Sequence, residues 1–295
     1  MTINDLSLFE QYLSNTKNCE QRNNDSESWL VDSLKNVKAR AVEQDNQEIA
    51  KVVWCLETIH KIQKNYLAAF YEMKEGRFYD GWCLLERVAI EMLFLQKHFS
   101  HQPSDSYGMS FIEKHVEQFQ TLYPYTVFIS PAVLQLEKKC SICGKIVSIH
   151  SFCGHRKGEI YNGEMCAHEI TKAEFLEISI VPNPVQKYSV VFLNDPETGE
   201  QVDHYDYSLV RYVITALKHP FDGWDIQKTK TRHPHTLFSH LSKDDNCPCG
   251  SSKTYGKCCL RNKEGVLRPH INVFFHVQPN SDIPRMAYPD YKKNR

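Results

Sequence analysis

Eight of the eleven cysteines fall into two short clusters, Cys140, Cys143, Cys153 and Cys166 in the middle of the chain and Cys247, Cys249, Cys258 and Cys259 near its end. Closely paired thiols of this kind suit a tetrahedral Zn²⁺, which four thiolates, or thiolates and imidazoles, close off completely. The second cluster reads C-x-C, eight residues, then C-C. Pro248 stiffens the turn between the first two thiols, and Gly250 and Gly256 permit backbone conformations that a Cβ resists. Side chains of adjacent residues in a strand point to opposite faces, so Cys258 and Cys259 must lie in a turn or at a helix start to reach one ion. Four thiolates on Zn²⁺ carry a formal charge of −2, which Lys253, Lys257 and Arg261 offset without any nucleic acid.

Cys140-Ser141-Ile142-Cys143-Gly144 is half of a second site, two thiols on one tight turn relieved by glycine. The other half comes from Cys153, His155, Cys166 and His168, which makes six candidate donors for four positions. A catalytic zinc needs an open position and a general base, for which Glu159, Glu164 or Glu169 could serve. The zinc deaminase pattern pairs H-x-E with P-C-x-x-C, whereas Lys139 precedes this C-x-x-C and no H-x-E lies beside it. A closed structural site is therefore expected, with no catalytic residue assigned and two Zn²⁺ per chain.

The segment C-P-C-G-S-x-K-x-Y-x-x-C-C from Cys247 to Cys259 resembles the SEC-C motif, the zinc-binding element of the C-terminal tail of the bacterial preprotein-translocase ATPase. The resemblance implies a zinc knuckle at 245–262 held by Cys247, Cys249, Cys258 and Cys259 and used for contacts with a protein partner. It does not carry over the ATPase, since the chain has no G-x-x-x-x-G-K-[ST] loop. The run C-x-x-C-G, then C-x-H-x-x-G-x-x-Y-x-G-x-x-C, is similar to a small zinc-ribbon module of phage-related bacterial proteins. That likeness implies Cys140, Cys143, His155 and Cys166 as ligands, with Cys153 as the substitute. G-R-F-Y-D-G-W-C-L-L-E-R gives the helical region a resemblance to HEPN-type bundles, some of which are ribonucleases with an Arg and His close together. Here Arg87 and His98 stand 11 residues apart, roughly 16 Å along a helix, so the bundle is expected to be non-catalytic.

The elements that must position these sites differ between the two halves. Asp5 can cap a run through Leu6, Phe9 and Leu13, a second run follows through Trp29, Leu30, Leu34 and Val37, and Ile49 to Phe70 is apolar at three- and four-residue steps over five turns. Glu75-Gly76-Arg77 breaks the pattern before Phe78 to Phe99, whose apolar residues predict burial on most sides, and Phe111 to Leu122 reads as one more helix. Beyond residue 140 the segments are short: a strand at Tyr188–Leu193, a turn at 194–199, a helix at Ser208–Leu217, and strands at Trp224–Arg232 and Ile271–Val277. The tail from Pro279 is expected to be poorly ordered. The expectation is an α+β protein: a helical bundle at 1–108, a helix plus zinc-ribbon module at 109–184, and a small mixed-sheet region at 185–295 that contains the knuckle.

The remaining composition narrows the function. Thirty-five Lys plus Arg against 36 Asp plus Glu give a net charge of −1 over 295 residues, so no global basic field recruits nucleic acid or acidic membrane. The Lys228, Lys230 and Arg232 stripe on one strand face is small, and a solvated edge explains it. Without an export signal at MTINDLSLFEQ or an apolar run of membrane-spanning length, the reading is a soluble cytoplasmic protein. The expected function is a bacterial zinc protein whose two structural sites support a protein partner. The competing reading is a nucleic-acid-associated factor, a nuclease or a toxin- or phage-defence-like component.

Overall fold

The computed structural model describes residues 4–18, 24–100, 106–280 and 283. The side chain of Asp5, Cys19 and the tail beyond residue 280, Ile283 apart, lie outside that description. The chain is α+β, with five helices first and then antiparallel strand pairs interrupted by a sixth helix, and it divides into two units. The first takes in 1–72, 77–117 and 126–191; the second takes in 73–76, 118–125 and 192–295.

In the first unit the helical periodicity becomes a bundle of α1 (Asn4–Ser14), α2 (Asn24–Glu43), α3 (Gln47–Lys74), α4 (Phe78–Leu95) and α5 (Met109–Leu122). The Asn46 carboxamide accepts the Ile49 N–H at 3.1 Å and so satisfies one free donor at the start of α3. Val53, Ile59, Ile62, Tyr66 and Phe70 of α3 are buried, as are Trp82, Leu85, Val88 and Leu95 of α4 and Ile112 and Val116 of α5. Buried Gln63 is fully engaged: it accepts from Thr16 Oγ1 (2.7 Å) and donates to the carbonyls of Leu13 and Tyr107 (2.9 Å each). As its apolar residues predict, α4 is buried or half-buried on most sides, with only Asp80, Arg87 and Leu93 of the helix exposed.

A long antiparallel ribbon, β1 (Phe128–Cys140) with β4 (His168–Val181), runs past this bundle. The middle cysteine cluster sits at one end of it. At the other end Phe128 stacks on Trp82 (6.2 Å between rings), Trp82 Nε1 donates to the Lys187 carbonyl at 2.6 Å and Tyr79 Oη to that of Tyr188 at 2.7 Å. These side-chain bonds explain why the expected strand at Tyr188–Leu193 is absent. The segment meets β1 at the Phe128–Val190 bridge and through Ser189, whose carbonyl accepts the Ile129 N–H at 2.8 Å, while the carbonyls of Lys187 and Tyr188 go to helix side chains instead of extending the ladder.

The metal end of the ribbon is also tied down. The two-residue strands β2 (Ile160–Tyr161) and β3 (Glu164–Met165) make a tight hairpin through Asn162-Gly163. Gln47 and Asn162 exchange two hydrogen bonds, of 2.7 and 2.9 Å. Lys38 Nζ bridges Glu57 (2.8 Å) and Glu164 (2.6 Å), and His98 Nε2 donates to the Gly158 carbonyl at 2.7 Å. Gly163 lies so close to α2 and α3 that a Cβ there would stand 2.6 Å from Lys38 Cε and 3.1 Å from the Ala50 carbonyl oxygen.

The second unit is built on α6 (Ser208–Ala216) and the ten-residue pair β7 (Trp224–His233) and β8 (Val266–Phe275), with a small hairpin of β5 (Leu193–Asn194) and β6 (Gln201–Val202). Trp224 is fully buried, with the Phe119 ring 4.9 Å away, and Val210, Val213 and Ile214 of α6 are buried as well. The last cysteine cluster occupies the connection between β7 and β8 and re-enters the sheet at Gly265, whose φ of +117° excludes most side chains. A Cβ at Gly265 would lie 2.2 Å from the His233 carbonyl oxygen, a backbone atom with no freedom to turn away. Gly265→Ala is therefore expected to cost about 3 kcal/mol or more in chemical denaturation of the second unit.

Candidate metal centres

In the last cluster the ligand atoms of Cys247, Cys249, Cys258 and Cys259 all lie within 4.8 Å of one another. Four sulfurs about 2.3 Å from a tetrahedral Zn²⁺ stand about 3.8 Å apart, and here the Cys249–Cys258 and Cys258–Cys259 sulfurs are 3.6 and 4.0 Å apart. The local fold follows from the turn residues: the Cys247 N–H donates to the Lys253 carbonyl (2.8 Å), and the Gly250 N–H to that of Cys247 (3.1 Å). The adjacent cysteines share a face because the backbone kinks at Cys258 (φ −124°, ψ −113°), between the 3₁₀ turns Tyr255–Lys257 and Cys259–Arg261. The thiols belong to the core as well, since Cys247 and Cys259 are buried with Phe238, Tyr255 and Val266.

In the middle cluster the ligand atoms of Cys140, Cys143, Cys153 and His155 all lie within 4.8 Å of one another. Cys166 joins them, its sulfur 3.8 Å from that of Cys140 and fully buried. His155 Nδ1 stands 3.7 Å from the Cys140 sulfur and 3.8 Å from that of Cys153. Four donors thus converge in the number a tetrahedral ion takes, with Cys166 beside Cys140 as a further thiol, and the residues fit a thiolate-rich metal. His168 lies opposite Cys140 in the ladder, and its buried Nε2 has no hydrogen-bond partner among the described residues.

The acidities within each cluster are uneven. Burial pushes the Cys140 thiol up, but the N–H groups of Cys143 and Ile142 and the neighbouring thiols outweigh it and hold it at about 6. Cys166 is pushed up to about 11 by burial and by the Cys140 thiolate beside it. The pattern recurs in the other cluster: the Ser251 hydroxyl holds Cys249 at about 6, whereas burial and the thiols of Cys247 and Cys249 push Cys259 to about 12. One thiolate forms readily and opposes the next, and a divalent cation is what lets the whole set ionise together.

The family model of the SEC-C motif matches residues 245–261 of this chain. The chain carries a SEC-C motif. No curated protein and no solved structure matches it.

The SEC-C segment is braced by residues that its cysteine spacing does not reveal. His235 Nε2 donates to the Asn262 carbonyl at 2.7 Å, which leaves Nδ1 as the acceptor for the Tyr255 hydroxyl at 2.6 Å. The imidazole so oriented joins both sides of the motif. Replacing it by His235→Phe leaves a buried hydroxyl and a carbonyl short of a partner, and is expected to lower the stability of the second unit by about 1–3 kcal/mol in urea titration with zinc still bound. Tyr255 is part of the motif pattern and its burial could be anticipated, but His235 lies 12 residues before Cys247 and carries no local signal.

The basic residues around the motif are partly committed to structure. Arg261 Nε donates to the Gly256 carbonyl at 3.2 Å, Arg268 Nη1 to that of Pro248, and Arg232 pairs with Glu264 at 3.2 Å and donates to the Gly265 carbonyl at 3.0 Å. One member of the Lys228, Lys230, Arg232 stripe thus holds the turn into β8. Among the described residues no helix is long and apolar enough to cross a membrane.

Proposed function

We propose that this chain is a zinc-dependent binding protein, in which two structural Zn²⁺ ions hold surfaces that contact a protein partner. The observation that carries the reading is the closed donor set of the SEC-C motif: four mutually adjacent thiols, two of them buried in the local core, with no position left for substrate or water. Bound zinc would supply charge neutralisation and the rigid folding of 245–262, and the protein's own side chains would make the contacts. In the middle cluster four mutually adjacent donors, with the Cys166 thiol beside Cys140, again favour a structural ion over an open catalytic one.

Metal content per chain, measured by mass spectrometry on protein purified without added zinc, tests the reading together with Cys140→Ser and Cys247→Ser. Two zinc ions falling to one in each variant support it. Zinc-free protein with unchanged thermal stability would sink it. Salt-sensitive binding of mixed RNA or single-stranded DNA in a filter assay would replace it with the nucleic-acid reading, because phosphate contacts weaken steeply as salt rises.

A further inference from the structure

The β1–β4 ribbon is amphipathic in an unusual direction. Its ladder places Ile129 opposite Ile180, Pro131 opposite Ile178 and Val133 opposite Phe175, with Leu176 at the bulge beside the last pair. Side chains alternate between faces, so these seven apolar residues share one face. The intervening pairs, Ser130 with Ser179, Ala132 with Glu177 and Leu134 with Glu174, occupy the other. The buried Phe128, one step from Ile129, lies on that second face and stacks on Trp82 of α4. Beside Phe128 the apolar face therefore looks away from the bundle. Farther along the ribbon the other face is exposed too, Leu134 included, but the apolar surface concentrates on the first, where Ile180 (73%), Ile178 (63%), Phe175 (62%), Leu176 (59%) and Val133 (42%) keep much of their area in water.

We propose that two copies of the chain pack these faces together in an isologous dimer, an assignment independent of the partner reading above. At the stated exposures the face presents roughly 600 Å² of apolar surface, the upper end for a monomer and close to the apolar share of the ~800 Å² per partner in a standard interface. Not one of the seven residues is charged, so identical faces meet without opposing like charges. Two antiparallel sheets stack through such faces about 10 Å apart, with strands within about 30° of alignment. A two-stranded ribbon is marginal by itself and gains the second layer it lacks. Strand addition along the edge is disfavoured by the register shifts at Ala132/Val133, Gln135/Glu137 and Glu137/Lys138, which break the straight ladder that an incoming strand would copy.

Sedimentation velocity on the zinc-loaded full chain at roughly 50 µM, above the micromolar limit for interfaces of this size, is expected to show a dimer. Ile178→Lys should give a monomer with unchanged zinc content and circular dichroism, and Glu177→Lys, on the opposite face, should leave the dimer intact. If Ile178→Lys loses its fold, Ile178→Thr keeps the branched shape and strand propensity and should weaken association by about tenfold or more, since each dimer loses two buried apolar groups. A wild-type monomer at that concentration overturns the proposal and leaves the face to a different protein. A dimer that survives both Ile178 substitutions overturns it as well.

Discussion

Cys247→Ser, and separately Cys259→Ser, should remove one metal ion and unfold the connection between β7 and β8 while the helical bundle persists. These two sulfurs fill the small core formed with Phe238, Tyr255 and Val266, a core too small to hold unaided. Zinc binding in modules of this size contributes about 10–16 kcal/mol at neutral pH, so the folded connection and the bound ion stand or fall together. The substitution removes a charged ligand from a tetrahedral set and leaves three sulfurs, of which Cys249 is already an acidic thiol held at about 6. The expected record is zinc content falling from two to one per chain, new protease cleavage confined to about residues 235–267, and far-UV helical signal nearly unchanged. A chelator should reproduce the cleavage pattern in the wild type. Retention of both ions in Cys247→Ser would remove the thiolate set from the metal and with it the structural role assigned to the motif.

How much of this was legible beforehand depended on how local each signal is. The cysteine spacing of the SEC-C motif fixes four donors within 13 residues, so the turn chemistry needs no distant partner to be read. Helices α3 and α4 were legible for a similar reason, since an apolar stripe at helical spacing reports its own burial. The ribbon was not. Ile178 and Ile180 could be seen in the sequence, but β4 pairs with a strand some 40 residues earlier and its register contains three shifts. Its apolar face also points outward, against the rule that apolar positions mark the core. The alternation in the sequence predicts the second strand of the C-terminal sheet at Ile271–Val277, yet β8 begins at Val266, because the backbone turn at Gly265 and the pairing of Leu267 with Arg232 extend it toward the cysteine cluster. His235 shows the same limit at a single residue, for its partners Tyr255 and Asn262 are joined only by the fold.

The middle centre should respond to substitution unequally, because a further thiol, Cys166, stands beside its four grouped donors. Cys140→Ser is expected to lose the ion outright: its sulfur belongs to the grouped donors and lies within reach of His155 Nδ1 and Cys166 Sγ alike. His155→Ala leaves the thiols of Cys140, Cys143, Cys153 and Cys166, and Cys166→Ser leaves Cys140, Cys143, Cys153 and His155, so each single variant should keep two zinc ions per chain. The double variant lacks a fourth ligand and should fall to one. The consequence reaches the bundle through the chain itself, as the Cys166 carbonyl accepts the Gly158 N–H and its own N–H donates to Glu159, both at 2.8 Å. Loss of the ion therefore frees the segment whose Gly158 carbonyl accepts from His98 and whose Asn162 is held by Gln47. Hydrogen exchange across 158–166 should rise in Cys140→Ser and in the double variant and stay at the wild-type level in each single one. Equal zinc loss in His155→Ala and Cys140→Ser would show instead that the imidazole is an obligatory ligand and that Cys166 stands outside the shell.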